Sequence, residues 1–465
     1  MNQRIGAPTL TQRLVGHLRA LTYDTIPEEA KQTARAVFAD GIGVALAGLR
    51  EPLGVGDVAL RYVREIGGAE QATVIGAGMR TSMTDAAFVN GTLMHALDFD
   101  NTWYPMNHPT SPTLPAILAL AEHYGFNGQD CLTALVAAFE VQGRLRMASL
   151  GLKTGHGFHK PGTTGLMGAV AAGVKLLGLD DDQALMAFGT AGSRVGSFSV
   201  NTGTMTKSSH SGHAARNGVE CALLAQMGWT AARDIFGPEG YFDTLMPNDQ
   251  TPELLVEGFA DPLRMVEPGV GFKRFPSNYF THRPITAALR LRERLLQRPD
   301  FQISQIAEVV VHFPELDYVD RPQPDTGLDG KFSVQYTTTL GLLDGQVGID
   351  SFTNDRRFAA DVVDLLPRVR IEYEPEISKE FLYLHVVVDV RLTDGTVLSE
   401  RVDKLSGMPG VPLTESERRD KFDMCVTPAL GDAASAKLFE LASHVDELED
   451  MRELMEIAAG TARQA

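Results

Sequence analysis

The sequence predicts a mainly α protein with an inserted α+β domain. One large all-helical domain is built from both chain ends, and a smaller α+β domain lies between them. Two observations point there. Apolar residues recur at helical spacing through the first part of the chain, give way to Val- and Ile-rich runs, and return to a helical pattern after Thr414. At 465 residues the chain is also roughly three times a typical domain, enough for two or three cores. The expected units are 1–267 and 406–465 for the helical domain and 268–405 for the insertion.

The opening stretch, MNQRIGAPTLTQRLVGHLRAL, is interrupted by Arg13, His17 and Arg19. It reads as an amphipathic helix and not as a secretion signal. Residues 27–49 start with Pro and two Glu, the chemistry of a first helical turn, before apolar residues at helical spacing. Further helices are expected over 85–97, 113–123, 131–147, 165–179 and 183–191. The 131–147 segment is apolar on several faces, which predicts burial. One of the residues Asp180, Asp181 and Asp182 is expected to cap the 183–191 helix. Strands are expected over 306–313, 367–373, 383–392 and 396–402, with an Asp394-Gly395 turn between the last two. Helices over 284–298, 334–343 and 357–366 are interspersed with them. Thr414 and Glu417 have capping-box spacing at the start of the C-terminal helices.

Composition narrows the function. Lys plus Arg is 42 and Asp plus Glu is 59, a net charge of −17. That surplus of acid argues against nucleic acid or an anionic membrane as partner. An anionic substrate then needs a local cationic pocket to overcome the field of the whole chain. Cys131, Cys221 and Cys425 are far apart and show no metal-ligand spacing, which fits a reducing, cytoplasmic setting. The most apolar long stretch, 162–179, contains Lys175 and many glycines, so no transmembrane helix is expected.

Five segments carry candidate chemistry. HALDFDNTWYPMNHPTSPTLP, 95–115, places two acids and two histidines, Asp98 and His108 among them, on a Pro-rich loop between two helices. The same residues suit a helix C-terminus with a histidine against the dipole. GHGFHKPGTTG, 155–165, puts His156 and His159 before a Gly/Ala helix whose first N–H groups can receive a carboxylate. GTMTKSSHSG, 203–212, sets Lys207 among small hydroxyl residues, with His210 and His213 beyond. A solvated surface lysine reads the same way. His210 and His213 can share a helix face, but no nearby carboxylate completes a metal site, so no metal is expected. GFKRFPSNYFTHRP, 271–284, makes a cationic helix start with Lys273, Asn278 and His282. KFSVQY, 331–336, ends on Tyr336, which suits packing as well as catalysis. No GxSxG or GxGxxG element is present.

Taken together, VNGTLMHALDFDNT, His108-Pro109, GFHKPGTTG, GTMTKSSHSGHAARNGVE, KRFPSNYFTH and KFSVQY resemble the MmgE/PrpD family over roughly residues 10–450. The resemblance implies a large helical domain with a smaller α+β lid, as a homodimer. It implies a lyase without cofactor that dehydrates or decarboxylates a small di- or tricarboxylate, of the 2-methylcitrate or cis-aconitate kind. Two alternatives stay open: epimerisation of a dicarboxylate such as iminodisuccinate, and a silent dimeric polycarboxylate-binding protein. Asp98, Thr102, His108, His159, Lys207, Lys273 and Tyr336 are implied to line the site, with His210 as the histidine following the lysine. Asn278 and His282 are placed with the substrate-contacting residues. Asn278 stands where decarboxylase-like members carry a histidine, and an amide does not transfer protons as an imidazole does. On this reading Lys207 and Lys273 bind substrate carboxylates and stabilise enediolate-like charge. His108 or His159 moves the proton, Asp98 orients a histidine, and Tyr336 donates.

Overall fold

A computed structural model describes residues 7–149, 157–246 and 250–461; His156 lies outside them. The amphipathic N-terminal helix is Leu10–Ala20, capped by Thr9, whose side chain accepts from the Gln12 N–H. The helix that opens with two Glu spans Glu28–Gly48 and is almost wholly buried along its second half. It packs on the C-terminal helix Glu415–Leu430, where Gly43 leaves room for the Phe422 ring. Leu14, Phe38 and Ile42 share one core with Phe422, Val426, Leu438 and Leu454. Helices from both chain ends thus bury a common apolar interior, as the sequence pattern predicts.

Between them lies the α+β region. Its sheet runs in the order Val369–Tyr373, Ile306–Phe313, Val386–Leu392, Val397–Val402. The first pair is parallel and the others are antiparallel. Val386, Val388 and Val390 point inward with Val309 and Val311, onto Leu291 and Leu295 of the helix His282–Leu296. The strand period of two therefore gives this sheet one dry face.

Three expected elements differ. Residues 357–366 split into Asn354–Arg357 and Ala360–Leu365, because Ala359 between them is extended. Pro367 sits in a 3₁₀ turn, and its strand starts at Val369, since Pro has no N–H for the ladder. Residues 383–385 lie outside the strand, because the N–H groups of Tyr383 and Leu384 turn back to the Glu380 carbonyl. Among the described residues no helix is long and apolar enough to cross a membrane. The three cysteines are buried and free.

Candidate active site

Two helices set the frame. Met83–Ala96 and Met205–Gln226 cross where Gly91 faces Gly212; a β-carbon on Gly91 would stand 2.9 Å from the Gly212 Cα. Small residues at the crossing bring the end of the first helix beside the start of the second. The first helix stops at Leu97, and Asp98 turns into the left-handed region with φ 53°. That region is uncommon for a residue with a side chain, and Asp tolerates it better than most. Lys207 lies in the first turn of the second helix, and His210 follows on the same face. A two-residue antiparallel pairing, Thr102 opposite Gly271 and Trp103 opposite Val270, runs Lys273 alongside the Asp98 loop. His159 is fixed by its own N–H, which donates to the Ser197 carbonyl at 2.7 Å.

Asp98 is the centre of the result. Lys207 Nζ donates to its Oδ1 at 2.6 Å, and Lys273 Nζ donates to its Oδ2 at 2.7 Å. Lys273 also donates to the Asp98 carbonyl at 2.6 Å and to the Ser277 carbonyl at 3.2 Å. Its three N–H donors therefore have three acceptors, and it is 1% exposed. Lys207 has one acceptor among the described residues and a side chain 12% exposed, so two of its donors are open. His108 lies between two carboxylates, with Nε2 3.7 Å from Asp98 Oδ1 and Nδ1 3.1 Å from Asp100 Oδ1. His95 Nδ1 is 3.0 Å from Asp100 Oδ1 on the other side, and Ser111 donates to Asp100 Oδ2 at 2.7 Å. His159 and His210 share a hydrogen between their Nδ1 atoms, 3.1 Å apart. The His95 ring ties the groups together, 4.6 Å from His108 and 5.4 Å from His159 between centroids.

Electrostatics follow from this packing. Burial pushes the Asp98 carboxyl up, but Lys207, Lys273 and the neighbouring imidazoles outweigh it and hold the group well below the usual carboxylate range. Asp100 is likewise held low by His108 and His95 against its burial. Burial, with repulsion from the surrounding imidazoles and Lys207 adding to it, pushes His159 well below the ordinary histidine value. His210 is pushed down to about 4 by burial, with His213 and Lys207 adding to it. At neutral pH the site thus holds ionised aspartates and a neutral His159–His210 pair. Beside His210 a recess of about 360 Å³ opens, lined also by Arg194, Asn201 and Asn217.

The comparisons with known proteins agree on one family. The MmgE/PrpD N-terminal domain matches residues 12–254, and the MmgE/PrpD C-terminal domain matches residues 275–447. This chain belongs to the MmgE/PrpD family. Cis-aconitate decarboxylase of Mus musculus is 30% identical, over 98% of this chain and 94% of the mouse protein. Cis-aconitate decarboxylase of Aspergillus terreus (strain NIH 2624 / FGSC A1156) is 26% identical, over 94% of this chain and 93% of the fungal protein. The 2-methylcitrate dehydratase of Escherichia coli (strain K12) is 24% identical, over 93% of each chain. With decarboxylases and dehydratases as relatives, this MmgE/PrpD chain is an enzyme of the lyase type.

In this MmgE/PrpD site the structure brings together Asp98, His108, His159, Lys207, His210 and Lys273. The other expected residues stand around this group in the following contacts. Thr102 forms the strand pair with Gly271. Asn278 accepts the Phe280 N–H on its side-chain oxygen at 3.0 Å, as a helix cap. His282 is buried against Phe275 and Tyr279, behind Lys273, and its Nε2 meets no partner among the described residues. Tyr336 lies apart from this group: its hydroxyl donates to the Ser351 carbonyl at 2.7 Å inside a separate apolar cluster. Lys273 stands at the site with its three donors engaged by Asp98 and Ser277. His210 and His213 do not pair, because His210 turns to His159 while His213 is exposed beside Phe88. His95 and Asp100 are the second histidine and second acid of the 95–115 segment, and Ser111 lies in it too, but residue type alone assigns none of the three a role. His95, Asp98 and His108 have donor atoms within 4.8 Å of one another. Both Asp98 oxygens already accept from ammonium groups, whose charge opposes a divalent cation there.

Proposed function

We propose that this enzyme breaks a bond next to a carboxylate of a small di- or tricarboxylate, releasing carbon dioxide or water, with a cis-aconitate-like acid as the favoured substrate. The observation that carries the reading is the ion triad Lys207–Asp98–Lys273 with His108 and His159 beside it. Removing carbon dioxide or a proton beside a carboxylate leaves an electron pair, which delocalises into that carboxylate as enediolate-like charge. Water stabilises such charge poorly, and a fixed ammonium in a water-poor site does so well. Lys207, with open donors, is the group that meets it. In decarboxylation the carbon–carbon bond breaks, carbon dioxide leaves, and a histidine then delivers a proton to carbon. In dehydration one histidine takes the proton from carbon and the other protonates the departing hydroxyl. Neutral His159, with Nδ1 engaged by His210, suits the acceptor role through Nε2, and His108 suits the donor role. Asp98 and Lys273 hold this arrangement in register. The relatives support the same direction, since decarboxylases and dehydratases both appear among them.

The reading is tested with cis-aconitate, 2-methylcitrate, citrate and iminodisuccinate, followed by proton NMR in deuterated water. Loss of carbon dioxide or water from one of the first three acids is expected. Deuterium exchange with inversion and no elimination makes the enzyme an epimerase. Tight binding with no turnover of any acid makes it a binding protein.

A further inference from the structure

Three consecutive backbone carbonyls of the Asp98 turn each accept a hydrogen bond from a buried lysine. Lys331 Nζ donates to the Leu97 carbonyl at 3.2 Å, Lys273 to that of Asp98 at 2.6 Å, and Lys421 to that of Phe99 at 3.0 Å. Lys273 and Lys331 are 1% exposed and Lys421 is 6% exposed. They come from three places: the segment after the Val270–Gly271 strand, the end of the Gly327–Gly330 helix, and the Glu415–Leu430 helix. The last carbonyls of a helix do attract cations, but an exposed side chain meets that need. Burying three ammonium groups is costly, so helix capping alone is a poor account of them.

The surroundings point to positioning. Lys421 is paired at 2.6 Å with Asp40, whose side chain is 8% exposed, and its ammonium lies 4.1 Å from the Phe99 ring centre. Asp40 also accepts from Asn101 Nδ2 at 2.7 Å, so the pair grips the loop at Phe99 and again at Asn101. Between these grips sits Asp98 in its left-handed conformation, a shape that persists when its surroundings over-determine it.

We propose that Lys331 and Lys421 are positioning residues of the reaction. With Lys273 they clamp the carbonyls of residues 97–99 and so aim the Asp98 carboxylate at Lys207 and His108. The kinetic side of this inference rests on the lyase reading above, whereas the position of the loop is observable without any substrate.

The test uses two full-length variants, Lys331→Met and the double variant Asp40→Asn/Lys421→Met, which leaves no buried charge alone. Two properties are read: kcat and KM on the acid the wild type turns over, and the imidazole ¹⁵N shifts of histidine-labelled protein. In folded variants kcat is expected to fall by about tenfold or more. KM is expected to stay within about threefold, because transition-state geometry and not ground-state binding is lost. The ¹⁵N signals of His108 and His95 are expected to move. Wild-type kcat with unmoved imidazole signals overturns the proposal, and so does a loss of thermal stability alone. If the wild type turns over none of the acids, the lyase reading fails and the imidazole shifts decide: moved signals support the clamp and unmoved signals refute it. If the double variant does not fold, Lys331→Met decides on the same two readouts.

Discussion

At the residue scale the two lysines on Asp98 differ in what they have left to give. Lys273 is saturated and enclosed, whereas Lys207 keeps open donors at the edge of the site. Equal chemistry at the two positions was the expectation from residue type alone, because a sequence does not show how many acceptors surround an ammonium. The histidines carry a second consequence. Burial pushes His95 down to about 4, with Asp100 opposing and Lys207 adding to the shift. Its folded value lies below the unfolded value near 6.5, so the unfolded chain binds the proton first as pH falls. The neutral ring therefore contributes stability that is whole above about pH 6.5 and lost as the pH falls toward about 4. Thermal midpoints at pH 7.5 and 5.0 check this. The wild type is expected to lose on the order of 1–2 kcal/mol from this one group over that span. His95→Gln is expected to lose correspondingly less, and an equal loss in both proteins contradicts the assignment.

At the scale of elements, what was legible was local. The Thr414–Glu417 box, the Asp180 cap and the Ile306–Phe313 strand are present as their neighbouring residues predict. The Met205–Gln226 helix carries the site on its first turns, where no apolar stripe announces it. Its apolar buried residues, Ala214, Ala215, Val219, Cys221 and Ala222, come later in the helix; the turns at the site bury Ser208, His210, Ser211 and Gly212, which pack because Gly91 lies opposite. The Thr102–Gly271 pairing is two residues long and joins distant parts of the chain, so no local pattern marks it. Tyr336 shows the converse case: its motif is conspicuous, yet the helix Val334–Asp344 that carries it buries the ring beside Phe352 and Leu340. Tyr336→Phe is accordingly expected to leave kcat within about twofold while costing about 1 kcal/mol of stability for the lost hydrogen bond. A hundredfold drop in kcat with unchanged stability would return Tyr336 to the chemistry.

For the whole molecule the question raised by the proposed function is how a chain of charge −17 would take in a polyanion. The answer we propose is local: four lysines converge on one turn, three of them engaged by protein groups, and Lys207 keeps open donors where screening by solvent is weak and distant surface acids count little. Salt then acts on the two fields unequally. Raising ionic strength from about 10 to about 150 mM screens the long-range repulsion more than the enclosed lysines. The kcat/KM for a polycarboxylate is therefore expected to rise, by roughly twofold; a steep fall would mean that the long-range field is attractive. Convergence also explains why the site was only half legible. Motifs display which residues carry chemistry, but which cation faces substrate and which faces protein depends on contacts across hundreds of residues. The claim at the centre is that the Lys207 ammonium stabilises the electron pair formed beside a substrate carboxylate. Single-turnover kinetics of folded Lys207→Ala in deuterated water, with the acid the wild type converts, test it most directly. The rate of the chemical step is expected to fall by about a hundredfold or more, with any residual product still deuterated at the same carbon. A chemical step at the wild-type rate in that variant contradicts the account.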